Sequence, residues 1–218
     1  MDHTKEYLEF IQAEEETLIR EMKAYAIENF VPIIKDEMKS LMEVLLQIHK
    51  PLRVLEIGTA MGYSAVIMCR AMAKYSTAYE LISIERDPNM FELAQSNLKR
   101  SGYENQVSII KGDASVVLED LQKQGERFDW IFMDAAKGQY LTFLPYCLKL
   151  LKVDGLLISD NVLQDRDIVR SRFSVSRRQR TIHQRMREYL WELNHHPSLR
   201  TSILSIADGS TISVKVKE

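Results

Sequence analysis

Cysteine is scarce in this chain. Two residues of 218, Cys69 and Cys147, are too few for a disulfide framework or a thiolate zinc site. Both fall in apolar, helix-like stretches and are expected to be small buried side chains. A surplus of one charge is also lacking. Lys+Arg (29) nearly balance Asp+Glu (31), for a net charge of −2, so overall composition gives no argument for a polyanionic partner. No run of residues approaches the roughly 18–20 apolar positions of a membrane span. The first 21 residues carry seven acids, Asp2, Glu6, Glu9, Glu14, Glu15, Glu16 and Glu21. That is the reverse of a secretory leader, which starts basic and turns apolar. These absences lead us to expect a soluble, cytoplasmic protein with no membrane association.

The rest of the composition is that of a folded chain. Hydrophobic residues make up 45% and charged residues 28%, which excludes global disorder. The length suits one domain, expected over residues 1–218, with residues 1–50 as an N-terminal helical cap and 51–218 as an α/β core. In the cap, Tyr7, Phe10, Ile11, Leu18, Met22 and Tyr25 recur at helical steps, and a second stripe follows with Met38, Leu41, Met42, Leu45 and Leu46. From Leu52 the pattern changes. Short apolar runs at 52–58, 79–84, 107–110, 128–133 and 156–159 read as strands. The segments 88–100, 114–121 and 140–150 between them read as helices, the first capped by Asp87 ahead of Pro88. This alternation predicts a parallel sheet covered on both faces. A long polar helix is expected from about Val175 to His195. Strands at 202–206 and 211–216 would then flank Asp208-Gly209, a hairpin signal that makes the last strand antiparallel.

In such a sheet, ligands bind at the carboxyl ends of the strands. Those ends carry Gly58-Thr59-Ala60-Met61-Gly62-Tyr63-Ser64, then Glu85, Gly112-Asp113, Asp134 and Asp160-Asn161. Any one of these acids could be an ordinary loop residue. Four in succession favour a site. The glycine spacing G-x-x-x-G, in place of G-x-G-x-x-G, suits a nucleoside ligand without a diphosphate. Glu85, 23 residues after Gly62, stands near the distance at which an acid reaches a ribose diol.

The segment Val54–Ser64 resembles the first motif of class I S-adenosylmethionine-dependent methyltransferases, and its Gly-Tyr-Ser ending is typical of the catechol and caffeoyl-CoA O-methyltransferase group. Met133-Asp134-Ala135-Ala136-Lys137 and Ile158-Ser159-Asp160-Asn161-Val162 resemble that group's metal motifs in order and spacing. Within the group the chain is similar to bacterial tRNA 5-hydroxyuridine methyltransferases, through Val31-Pro32-Ile33-Ile34, Arg177-Arg178-Gln179-Arg180-Thr181 and Ala207-Asp208-Gly209.

The resemblance implies a Rossmann-like, doubly wound, mostly parallel seven-stranded sheet with an antiparallel last strand. It implies S-adenosylmethionine held by Ile34, Glu56, Gly58, Gly62, Ser64, Glu85, Asp113, Ala114 and Asp134. One divalent cation, Mg²⁺ or Mn²⁺, would be held by Asp134, Asp160 and Asn161, with Lys137 beside the reacting hydroxyl. The catechol relatives' acidic late-loop residue has no counterpart that the sequence identifies. The donor chemistry agrees, since two carboxylates and an amide oxygen suit a hard cation and disfavour zinc. Lys137 is either a general base near that cation or an ordinary surface lysine.

One feature stands apart from the methyltransferase motifs. Between Arg166 and Arg187 lie eight arginines and a single acid, Asp167. A solvated helix face is the bland reading. Arginine in preference to lysine, next to Asp160 and Asn161, favours phosphate contacts by Arg177, Arg178 and Arg180. Pairing with the acidic N-terminus across a homodimer interface is the other possibility. Trp130 and Trp191 read as packing residues, and His195-His196 as a helix end. The substrate expected is 5-hydroxyuridine in a tRNA anticodon loop. A catechol-like phenol, or a non-catalytic RNA-binding role, are the alternatives.

Overall fold

The first four parallel strands follow the apolar runs of the sequence closely. The computed structural model describes residues 7, 11, 16–163, 167–169, 171 and 175–218. Arg166, Arg170 and Arg172 of the arginine-rich segment lie outside the described residues. The chain divides into Met1–Pro32 and Ile33–Glu218. The first unit contains helix α1 (Thr17–Glu28), with Ile19, Met22 and Ala26 on one face at helical spacing.

The second unit opens with α2 (Asp36–His49), whose first turn carries Asp36 and Glu37 where the helix dipole favours acids, and which ends at Lys50 in the left-handed region ahead of Pro51. Then follow β1 (Arg53–Ile57), α3 (Tyr63–Met72), β2 (Glu80–Glu85), α4 (Pro88–Ser101), β3 (Val107–Lys111), α5 (Ala114–Lys123) and β4 (Phe128–Met133). The chain continues with α6 (Tyr140–Leu150), β5 (Leu151–Ser159), α7 (Arg180–His195), β6 (Leu199–Leu204) and β7 (Ser210–Lys215). Asp87 caps α4 as expected, accepting from the backbone N–H of Asn89 at 2.8 Å and of Met90 at 3.0 Å.

The seven strands form one sheet in the order β3-β2-β1-β4-β5-β7-β6. β1 to β5 run parallel to one another, and β7 runs antiparallel to both β5 and β6. This is the Rossmann-like, doubly wound sheet with an antiparallel last strand that the sequence predicts. The order reverses between β1 and β4, which opens a crevice at their carboxyl ends. Helices α2, α3 and α4 pack in series, and α5, α6 and α7 form a second series. Trp130, Phe128 and Phe132 are fully buried in β4. Cys69 and Cys147 are buried and reduced, and burial pushes both thiols up to about 12. No described helix is long and apolar enough to cross a membrane.

Four details differ from the sequence reading. Strand β5 begins at Leu151, five residues before the expected 156, because the backbone turns extended directly at the end of α6. Helix α7 starts at Arg180, because residues 177–179 form a turn in which Gln179 N–H and His183 N–H each find backbone carbonyls. Strand β6 is Leu199–Leu204, earlier than 202–206, since Ala207 (φ +47°) and Gly209 (φ +83°) give 205–209 to the connecting loop. Trp191 is not a packing residue. It lies on the outer side of α7 with 61% of its surface exposed, its ring stacked flat on His195 at 4.1 Å between centroids.

Candidate active site

The strand tips meet in one row. Beyond the regular ladder, Gly112 N–H donates to Glu85 O (2.9 Å), Gly58 to Ile84 O (3.1 Å), Asp134 to Ile57 O (3.0 Å) and Asp160 to Met133 O (3.0 Å). These bonds carry the sheet one residue past each strand end, so the residue after each apolar run turns its side chain toward the crevice. At the centre of the row Gly58 has φ +98°, and a Cβ there would stand 2.1 Å from Asp134 O. Only glycine lets β1 and β4 close at this point.

A cavity of about 190 Å³ opens over this row. Of the expected cofactor residues, Gly58, Glu85, Asp113, Ala114 and Asp134 line it. Ile34, Glu56, Gly62 and Ser64 do not. Glu85 is held ready, with one carboxylate oxygen accepting from Ala60 N–H and the other from Asp87 N–H, each at 2.8 Å. Asp113 serves two ends at once, since it caps α5 through Ser115 N–H at 2.9 Å and also faces the cavity. Glu56 is completely buried, accepting hydrogen bonds from the Ser64 and Ser83 hydroxyls. Burial is the main cause that lifts its carboxyl to about 7, well above its ordinary value of 4.5.

At one end of the cavity the acids converge. Asp134 is pushed up to about 6, first by burial and then by the charge of Asp160. Asp160 is raised by burial, with Asp208 adding to the effect. Asn161, in the left-handed region at φ +60°, donates its amide to Asp134 Oδ1 at 3.0 Å. Asp160 Oδ1 accepts from Asn161 N–H (2.9 Å) and from the Ser210 hydroxyl (2.8 Å). Among the described residues no group of three or more His, Cys, Asp or Glu forms a metal site. The expected set has a different composition, two carboxylates and one amide. It fits a divalent cation on chemistry. Two carboxylates in mutual repulsion, Asp160 buried and Asp134 half-buried, are relieved by a positive charge, and with the carbonyl oxygen of the Asn161 amide they would make an all-oxygen set. Lys137 stands on the short turn Lys137–Gln139 and lowers the proton affinity of both carboxylates by its charge.

Several participants were not legible in sequence. Ala60, Arg86, Gln139 and Phe143 also line the cavity. Arg86 directly follows Glu85, so its position beside a strand tip was the available signal. Tyr140 lies under the acidic end, its hydroxyl 3.0 Å from Asp160 O and accepting from Ala135 N–H at 3.3 Å. The loop before β7 is tied to the same place, with Val162 N–H donating to Gly209 O (2.9 Å), Leu163 N–H to Asp208 O (3.0 Å), and Lys35 Nζ to Asp208 at 2.5 Å. Helix α7 rests on the Lys137 turn. Arg185 donates to Gly138 O at 2.9 Å. Arg177 and Arg178 are exposed at the start of that helix, and Arg180 is half-buried.

Comparison with known proteins follows the same outline. The family model described as O-methyltransferase matches residues 9–216. A catechol O-methyltransferase of Niastella koreensis is 37% identical over 125 residues, covering 57% of this chain and 55% of that protein, so the match spans about half the relative's length. A caffeoyl-CoA O-methyltransferase of Medicago sativa is 26% identical over 206 residues, covering 91% of this chain and 81% of its own. A solved structure from Staphylococcus aureus, described provisionally as a caffeoyl-CoA O-methyltransferase, superposes with a TM-score of 0.87 at 33% identity, covering 98% of this chain and 100% of that one. The fold is shared with an O-methyltransferase of Bacillus cereus solved in complex with SAH, with a TM-score of 0.85 at 22% identity, covering 98% and 97% of the two chains.

Proposed function

This chain belongs to the O-methyltransferase family, and from that premise we propose that it transfers a methyl group from S-adenosylmethionine to the hydroxyl oxygen of 5-hydroxyuridine in a tRNA anticodon loop, with the help of a divalent cation. The observation that supports the chemistry is the row of strand tips. Glu85 and Asp113 line the cavity that would take the cofactor, and Asp134, Asp160, Asn161 and Lys137 gather at its end. What supports the RNA substrate is the turn leading into α7, which sets exposed Arg177 and Arg178 just ahead of a helix seated against the Lys137 turn.

In this reading Glu85 holds the ribose hydroxyls through a carboxylate already oriented by two backbone N–H groups. Asp134, Asp160 and Asn161 would hold Mg²⁺ or Mn²⁺, which when bound would favour the ionised form of a substrate hydroxyl. The 5-hydroxyl and neighbouring O4 of the base are two adjacent oxygens. Lys137 would take up the hydroxyl proton. The oxygen then forms the new bond to the methyl carbon as the sulfur–methyl bond breaks. Because the sulfonium is already activated by its own charge, the protein's remaining task is alignment and exclusion of water.

A catechol-like phenol offers the same pair of oxygens, and the relative from Niastella koreensis named for catechol favours this second reading. The two separate in one experiment. tRNA carrying unmethylated 5-hydroxyuridine is incubated with the protein, S-adenosylmethionine and Mg²⁺, and its nucleosides are resolved by mass spectrometry. A gain of one methyl on 5-hydroxyuridine is expected. Methylation of a catechol with none on tRNA would establish the second reading instead.

A further inference from the structure

Trp191 is out of place by ordinary packing rules. It is one of two tryptophans in the chain. Trp130 is fully buried, whereas Trp191 is 61% exposed on the outer side of α7. An exposed indole forgoes the hydrophobic gain of its large surface and keeps an aromatic face open to a partner. The ring is also held. His195, one turn further on, stacks on it with the planes 11° apart, and the imidazole Nδ1 meets Trp191 O at 2.8 Å.

The residues around it show what the partner is. Steps of three and four along α7 put Arg180, Gln184, Arg187, Trp191 and His195 on one side of the helix. From Ser176 to Arg187 the chain has five arginines and no acid, against a net charge of −2 for the whole molecule. The acids beside the indole are Glu188, which accepts from Gln184 Nε2 at 2.9 Å, and the half-buried Glu192. Negative charge is therefore confined to the last two turns of the helix, and positive charge to its start. Cations leading to an aromatic ring is the arrangement that binds unpaired nucleic acid, with guanidinium groups along the backbone and a base on the ring. Arg185 marks where α7 touches the Lys137 turn.

We infer that this side of α7 is a docking surface for a single-stranded RNA loop, with the arginines at its start taking phosphates and Trp191 stacking a base of that loop. The inference rests on the tRNA reading above and adds to it the surface that grips the loop. The His195 stack keeps the indole in one orientation before RNA arrives, which reduces the ordering that binding requires.

The test uses a synthetic anticodon stem-loop and the full chain. Titration should quench the exposed part of the tryptophan emission, because Trp130 is out of reach of RNA. Trp191→Ala should weaken stem-loop binding by roughly 10-fold or more, as expected for one stacked base. Trp191→Phe should recover most of that loss. S-adenosylmethionine affinity should be the same in all three proteins, which checks that the variants are folded. Unchanged stem-loop affinity in Trp191→Ala, with no quenching in the parent, would overturn the stacking surface while leaving the tRNA reading intact. A parent protein that binds neither the stem-loop nor whole tRNA would overturn both.

Discussion

Glu56 bears on stability more directly than any other single carboxylate of the site. It is fully buried, and burial raises its carboxyl to about 7 from an ordinary 4.5. The unfolded chain releases this proton near pH 4.5, while the folded protein keeps it up to about pH 7. Between those values the folded state holds more protons than the unfolded one, so stability falls as pH rises through the window. The full difference corresponds to about 3 kcal/mol, from 2.5 pH units at roughly 1.36 kcal/mol each. Glu56→Gln should flatten the decline, as measured by urea unfolding at a series of pH values. An unaltered slope would mean that another group carries it. Glu85 is proposed to act on the ligand instead. Its two oxygens are fixed by Ala60 and Asp87 N–H groups, and Glu85→Ala should weaken S-adenosylmethionine binding by about 1.5–3 kcal/mol for each charged hydrogen bond lost. Calorimetry that finds the affinity unchanged would remove Glu85 from the cofactor site.

At the scale of elements, α7 links the acidic end of the cavity to the solvent face where RNA is proposed to lie. If Arg177, Arg178 and Arg180 contact phosphates, their joint replacement by alanine should flatten the dependence of log affinity for tRNA on log salt by roughly 2 units, at about 0.7 per contact. Turnover of a small phenol should barely change, because no phosphate takes part. An unaltered salt slope would assign these arginines to another role, and sedimentation would then ask whether they hold two copies together. Elements also show what the sequence disclosed. Asp134 and Asp160 could be read because each closes an apolar run in a regular strand–helix alternation, and a strand's carboxyl end has a fixed place in such a sheet. Ser210 could not, since it reaches Asp160 across 50 residues through the pairing of β5 with β7. Tyr140 reads as the first residue of a helix, and only the fold shows it beneath Asp160. Trp191 was misread because composition treats tryptophan as core, and nothing local shows which side of an arginine-rich helix will be left outside.

For the whole molecule, the order β3-β2-β1-β4-β5-β7-β6 places the reversal between the strands that end in Gly58 and Asp134. Cofactor side and acidic side therefore meet where the sheet opens, and the chemistry depends on both being in place. Asp160 belongs to the acidic side and does not line the cofactor cavity. The most direct measurement is methyl transfer by the parent protein and by Asp160→Ala, with S-adenosylmethionine affinity followed in parallel, with and without EDTA. The parent should lose activity in EDTA and regain it with Mg²⁺. The variant should be inactive under every condition while binding the cofactor nearly as well as the parent. Full activity of the parent in excess chelator, or of the variant in Mg²⁺, would contradict a cation held by Asp134, Asp160 and Asn161.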